Sequence, residues 1–213
     1  MKYILFIPSI KEAKLLFSRE ISEIDGFTFT QYKGADVIIL GVGKTNTALN
    51  LTRYLFLNPQ NEDSLLVLAG IAGAYPRGGL NIGDVRMIKW EFFADEGLLG
   101  DGKLTGVDEI GFPVCKDNKV ELYTPDWGFK VCNSNTVSLI PANPLLSDLY
   151  HKKTGALLEN MEGASFGLAA GYFNLRSVQI RSISNFTGGE DDWDIKKGIS
   201  ALKNALERLP IYS

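Results

Sequence analysis

The sequence predicts an α/β fold, a sheet with helices on both of its faces. Three observations predict it. Short β-branched and aromatic runs of strand length alternate with segments of helical periodicity, capping and breaking signals separate the two kinds, and no Pro/Gly/Ser linker or charge block divides the chain. A single domain over residues 1–213 is therefore expected.

Residues 3–7 read as a buried strand ended by Pro8, and Ser9-Ile10-Lys11-Glu12 has the S-x-x-E form that caps a helix, here one running to Phe17. Residues 27–32 alternate as a strand, and 36–41 form a second, fully apolar one. After Gly41-Val42-Gly43 a helix follows with Ala48, Leu49, Leu51 and Leu55 apolar, stopped by Asn58-Pro59. Residues 64–69 are the next buried strand, and a glycine-rich passage leads from Gly70 to Gly83. A strand is expected at 84–90, an irregular stretch at 92–117, and strand-like pieces at 120–123 and 129–132. Helices at 143–152, 162–173 and 193–209 and a strand at 176–184 complete the pattern.

The 45% apolar content allows a sizeable core, and a net charge of −3 gives no electrostatic footprint for nucleic acid. Cys115, Cys132 and the single His151 fit neither a disulfide framework nor a metal-ligand spacing. The first residues are too short an apolar run for a signal peptide, and no stretch approaches membrane-spanning length, so a cytoplasmic protein without a membrane partner is expected.

Several residues could carry chemistry, each with a plainer alternative. Gly41-Val42-Gly43 lacks the third glycine of a dinucleotide fingerprint and reads as a tight turn, with a backbone N–H cradle for water or an anion left open. Glu12 is the far half of the capping box with Ser9, a job that does not exclude catalysis. Glu162 opens a helix, where the macrodipole favours a carboxylate in any role, and Gly163 and Ala164 leave space beside it for a ligand. Asn185 ends a strand, as a turn asparagine or as an amide placed where open α/β sheets bind ligands. Arg181 has candidate partners in Glu190-Asp191-Asp192, which also read as a solvated face capping the last helix, and His151 as a charge partner for a helix C-terminus.

Taken together, the glutamate after the first strand (Glu12), Gly41-Val42-Gly43-Lys44, Gly70-Ile71-Ala72-Gly73-Ala74 leading to Ile82-Gly83-Asp84-Val85, Asn160-Met161-Glu162-Gly163-Ala164 and Arg181-Ser182-Ile183-Ser184-Asn185 resemble the nucleoside phosphorylase and nucleosidase superfamily. The resemblance covers nearly the whole chain. It points to the methylthioadenosine/adenosylhomocysteine nucleosidases and, more closely, to the futalosine hydrolases. It implies a three-layer fold with a mixed central sheet, a nucleoside substrate, a homodimer or higher homo-oligomer, and no metal or organic cofactor. The implied reaction is hydrolysis of the N-ribosidic bond of futalosine, with release of hypoxanthine, in the futalosine route of menaquinone biosynthesis.

Position by position, Glu162 resembles the carboxylate that accepts from the ribose 2′- and 3′-hydroxyls, with Asn160 beside it and Met161 packed on the sugar. Glu12 resembles the base that deprotonates the attacking water. Ala72, Gly73, Ser184 and Phe186 resemble parts of the base pocket, lined from the other side by Thr136 and Val137 in Asn133-Ser134-Asn135-Thr136-Val137. Where adenine-releasing nucleosidases carry aspartate, this chain has Asn185, whose N–H₂ can donate to N7 or O6 of a 6-oxopurine. A carboxylate at position 12, where hexameric phosphorylases hold phosphate with arginine, favours water over phosphate, although Lys11 and Lys44 keep phosphorolysis open. Phe92, Phe93 and Phe112 offer stacking surface with which the irregular stretch is expected to cover the substrate's tail.

Overall fold

The computed structural model describes residues 2–24, 26–33, 35–189 and 193–210. The first strand, β1 (Lys2–Ile7), leads into α1 (Ile10–Phe17), capped by the expected Ser9, whose hydroxyl oxygen accepts the Glu12 N–H at 3.1 Å. A meander of β2 (Ser22–Ile24), β3 (Phe27–Tyr32) and β4 (Ala35–Ile39) feeds α2 (Lys44–Leu57) and then β5 (Ser64–Ala74). The middle of the chain holds β6 (Val85–Phe93), the hairpin β7 (Gly97–Gly100) and β8 (Lys103–Gly106), β9 (Lys119–Glu121) and β10 (Val131–Thr136). It closes with α3 (Pro144–Thr154), β11 (Leu158–Asn160), α4 (Gly163–Tyr172), β12 (Arg176–Phe186) and α5 (Ile195–Leu206).

Among the described residues ten strands form one mixed sheet in the order β11-β10-β6-β12-β5-β1-β4-β3-β2, with β9 on β6. Strand β1 pairs in parallel with β4 and β5, and β5 pairs in parallel with β12, whereas β12 meets β6 antiparallel. Strand β11 runs parallel to β10 and also pairs antiparallel with the end of β5, so β5, β12, β6, β10 and β11 close into a ring.

The period-two alternation of the strands sorts the core. Leu5, Ile7, Val37, Ile39, Leu65 and Val67 pack with Leu16 and Phe17 of α1 and Ile199, Leu202 and Leu206 of α5. Ile4, Phe6, Ile38, Leu40, Leu66 and Leu68 pack with Leu51 and Leu55 of α2 and Phe166, Ala169 and Ala170 of α4. The Phe166 ring meets Phe6 edge-on at 5.4 Å between centroids, fixing α4 behind the residues that precede it.

The structure departs from the sequence reading in informative places. Strand β5 continues five residues past Ala69, because Gly70 and Gly73 are there to let side chains cross the strand. A Cβ on Gly70 would lie 2.5 Å from Arg181 Nη1 and 2.9 Å from Pro8 Cγ, and one on Gly73 would lie 3.0 Å from Asn185 Nδ2. The stretch expected to be irregular at 92–117 contains the β7–β8 hairpin. The polar run Asn133 to Thr136 belongs to β10, and the unexpected β11 is equally polar; Ser134, Asn135, Thr136, Glu159 and Asn160 are all buried. Helix α5 starts at Ile195, with Asp194 accepting the Lys197 N–H, and the acids at 190–192 expected to cap it lie outside the described residues.

Candidate active site

The carboxyl ends of β1, β5, β11 and β12 open onto one cavity of about 250 Å³, lined among others by Glu12, Ala72, Gly73, Val137, Glu159 and Asn160. Met161, Glu162, Ser184 and Asn185 line it too. Two of the expected residues, Thr136 and Phe186, do not. Thr136 is fully buried behind the wall, donating to Glu91 Oε2 at 2.8 Å and accepting the Ala164 N–H at 2.7 Å. Phe186 packs onto the cluster around Ile183 and Leu158.

Glu12 is held on both oxygens. Ser9 Oγ donates to Oε2 at 2.6 Å, and the Ile71 N–H at the crossing point of β5 donates to Oε1 at 2.9 Å. The capping serine therefore orients the carboxylate it helps to place, and the two readings of Glu12 coincide. Burial raises its proton affinity above the ordinary carboxylate range; the hydrogen bonds from Ser9 and Ile71 oppose this, the Glu162 charge adds to it and the Arg181 charge opposes it.

Glu162 faces the same cavity from the start of α4. It does not cap its own helix. That task falls to Asn160, whose Oδ1 accepts the N–H groups of Glu162 (2.9 Å) and Gly163 (2.7 Å). The Glu162 carboxylate turns away, accepting from Gly43 N–H at 3.0 Å, from Arg181 Nη2 at 3.1 Å and from Met161 N–H at 3.3 Å. The anion cradle at the start of α2 is thus occupied by the protein's own carboxylate.

Arg181 runs under the site; the acids at 190–192, offered as its candidate partners, lie outside the described residues. The arginine is 1% exposed and also donates to Asn160 Oδ1 at 3.0 Å and to the Ile71 carbonyl at 3.1 Å. The amide of Asn160 is consumed on its other side by Glu91 Oε1 (2.7 Å) and Ser134 Oγ (2.8 Å), so Asn160 positions Glu162. The space expected beside Gly163 for a ligand is filled from behind, since a Cβ there would collide with Glu91 and Gln179.

At the opposite wall, Asn185 Oδ1 lies 2.9 Å from Ser184 Oγ, and Asn185 Nδ2 donates to the Phe186 carbonyl at 3.2 Å. These contacts orient the amide and leave one N–H of Nδ2 for a ligand. Lys11 lines the cavity, but Lys44 is tied to Asp95 and Glu96 away from it. None of Phe92, Phe93 and Phe112 lines the cavity, against the expectation that they cover the substrate's tail; Leu15, Ile140 and Trp193 form its apolar margin. His151, in the last turn of α3 as read, bonds the Ala156 carbonyl through Nδ1 at 2.7 Å. Among the described residues no group of three or more His, Cys, Asp or Glu could hold a metal ion, and no helix is long and apolar enough to cross a membrane.

Sequence reasoning missed Glu91 and gave no role to Glu159. Both carboxyls are buried: Glu91 is pushed up to about 6, mainly by desolvation, and Glu159 up to about 8, again by desolvation first. Glu91 sits two residues from the buried Phe93 on β6, but Lys89, in the same phase, is exposed, so the alternation of the strand gives no clean signal for it.

No protein-family model matches the chain. It is 31% identical over 227 residues to the futalosine hydrolase of Thermus thermophilus, spanning 97% of this chain and 94% of that one. The chain belongs to the futalosine hydrolase family. Its fold is that of the native futalosine hydrolase of Helicobacter pylori (TM-score 0.74, 16% identity, 98% and 96% of the two chains). The same fold is found in the 5′-methylthioadenosine nucleosidase of Arabidopsis thaliana (TM-score 0.75, 16% identity, 98% and 94%). One scaffold thus carries both activities, and the side chains of a futalosine hydrolase family member must be weighed individually.

The buried carboxyl of Glu91 makes stability depend on pH. Its proton affinity in the folded chain, about 6, exceeds the ordinary 4.5, so the folded state holds a proton that the unfolded state has released between these values. The stability from this group is present below pH 4.5 and is lost as pH rises through about 6, a change on the order of 2 kcal/mol. Glu91→Gln, which does not titrate, is expected to lack this part of the pH dependence in urea unfolding at pH 4.5 and 7. Equal pH slopes in the two proteins would contradict it.

Proposed function

We propose that this chain hydrolyses the N-ribosidic bond of futalosine and releases hypoxanthine, in the futalosine route of menaquinone biosynthesis. The observation that carries the reading is the convergence of Glu12 and Glu162, from α1 and from the start of α4, on one cavity. Futalosine is what the family's name gives as substrate, and the contacts suit it.

Cleavage of the bond develops positive charge on the sugar. In this reading Glu162 accepts from the 2′- and 3′-hydroxyls, Met161 packs on the ribose, and the attraction of the carboxylate grows with that charge, which is differential binding of the transition state. Glu12 takes the proton from water; its raised proton affinity makes it the stronger base, and Ser9 and Ile71 hold it in place. The free N–H of Asn185 donates to N7 or O6 of the purine, with Ala72, Gly73, Val137 and Ser184 around the ring. Water is the nucleophile because a carboxylate at position 12 repels phosphate, and Lys44 is neutralised elsewhere.

The scaffold in this reading is one three-layer domain of a cytoplasmic enzyme, supported by the helix pairs on the two sheet faces. It works as a homodimer or higher homo-oligomer, supported by Leu49, Phe56 and Tyr172 exposed on α2 and α4.

Purified protein is expected to release hypoxanthine from futalosine in phosphate-free buffer, and Glu12→Gln to lower kcat by roughly 10²–10⁴-fold. Release that requires phosphate would overturn the hydrolytic reading. For the base contact, Asn185→Asp is expected to shift the kcat/KM ratio toward adenine nucleosides such as methylthioadenosine. An unchanged ratio would show that Asn185 does not read the base.

A further inference from the structure

Glu159 is the one carboxyl of the cavity to which the reading above gives no role, and it sits opposite Asn185. In the sheet register Gly73 of β5 pairs with Glu159 of β11 on one edge and with Asn185 of β12 on the other. With strands spaced about 4.8 Å apart, the two α-carbons stand roughly 10 Å apart across a residue without a side chain. Both line the cavity, and Glu159 is 3% exposed.

The hydrogen bonds around Glu159 run in one direction. Asn135 Nδ2 donates to the Tyr150 carbonyl (3.3 Å), which can only accept, and this fixes which end of the Asn135 amide meets Tyr75. The same Nδ2 donates to Tyr75 Oη at 2.8 Å, so the single tyrosine proton is left for Glu159 Oε2, also at 2.8 Å. Oε2 is therefore an acceptor. Oε1 has no partner among the described residues, and any proton the carboxyl carries sits there.

We propose that Glu159 is the general acid of the reaction, giving the proton on Oε1 to the leaving purine as the C1′–N9 bond breaks. The assignment rests on the nucleosidase reading above and supplies what Asn185 cannot, since an amide has no proton to transfer. The step balances. The electron pair of the C1′–N9 bond moves into the purine, whose N7 lone pair, free when Asn185 donates to O6, takes the proton of Glu159, while the water oxygen bonds C1′ and its proton passes to Glu12. Glu159 ends as carboxylate and Glu12 as acid, and exchange with solvent resets both.

The surroundings keep Glu159 protonated near neutrality. Desolvation raises it to about 8, opposed by the Tyr75 hydrogen bond and assisted by the Asp95 charge. The other titratable groups around it are Tyr75, raised well above the usual phenol range, and Tyr150, pushed up to about 12, with Glu12, Glu162 and Arg181 across the cavity.

The test compares Glu159→Gln with the unmodified protein on futalosine and on p-nitrophenyl β-D-ribofuranoside, whose leaving group departs without a proton. Glutamine keeps an acceptor for Tyr75 but cannot transfer a proton. On futalosine kcat is expected to fall by roughly 10²–10⁴-fold, while p-nitrophenyl riboside turnover is unchanged, which also shows the variant to be folded. The unmodified protein is expected to lose kcat on futalosine as pH rises through about 8, a limb absent with p-nitrophenyl riboside. An equal loss on both substrates, or no loss on futalosine, overturns the assignment while leaving the nucleosidase reading intact. Failure of the unmodified protein to cleave either substrate overturns the nucleosidase reading itself.

Discussion

The buried guanidinium of Arg181 is the constraint on which the site depends. It makes an ion pair with Glu162, bonds Asn160 Oδ1 and the Ile71 carbonyl, and its charge also acts on Glu12 and Glu91. Without a cation there, Glu12 and Glu162 would repel each other with no charge to oppose them, and buried Glu91 would lose its one opposing charge. Removing one partner of such a pair typically costs about 3–5 kcal/mol, because the charge left behind has neither water nor a counterion. The backbone is built around this side chain, since Gly70 must lack a Cβ for the guanidinium to pass.

That arrangement also explains how the site is prepared for its chemistry. Glu162 is held by Gly43 N–H at the start of α2 and by Arg181, each from a different element, so its carboxylate is aimed before a ligand arrives. Glu12 is aimed by Ser9 and by Ile71, the neighbour of Gly70. In the proposed reaction one carboxylate serves the sugar and the other the water, and the arginine between them limits their repulsion. Such preorganised dipoles and charges act without rearrangement at the moment of reaction.

Much of this was legible in the sequence where the signal is local. The S-x-x-E box placed α1 and with it Glu12, the short apolar runs at 3–7 and 36–41 located β1 and β4, and the resemblance singled out Glu162, Met161 and Asn185, which line one cavity. The rest depends on contacts between distant segments. Asn160 reads as a ligand contact until its amide is seen spent on Glu91, Arg181 and two backbone N–H groups, and Thr136 likewise serves the wall. Strand β11 has three residues, two of them polar, and exists because β10 and β5 pair with it on either side. No periodicity of its own could announce it or show which way Glu159 points.

The central claim is that the Glu162 carboxylate grips the ribose hydroxyls in the transition state. Its most direct test is a double-mutant cycle in kcat/KM, pairing Glu162→Ala with futalosine lacking the 2′-hydroxyl, so that the intrinsic lability of the deoxy sugar cancels. The account predicts that loss of the hydroxyl costs more in the unmodified protein than in the variant, with a coupling on the order of 1.5–3 kcal/mol. The same cost in both proteins would contradict it.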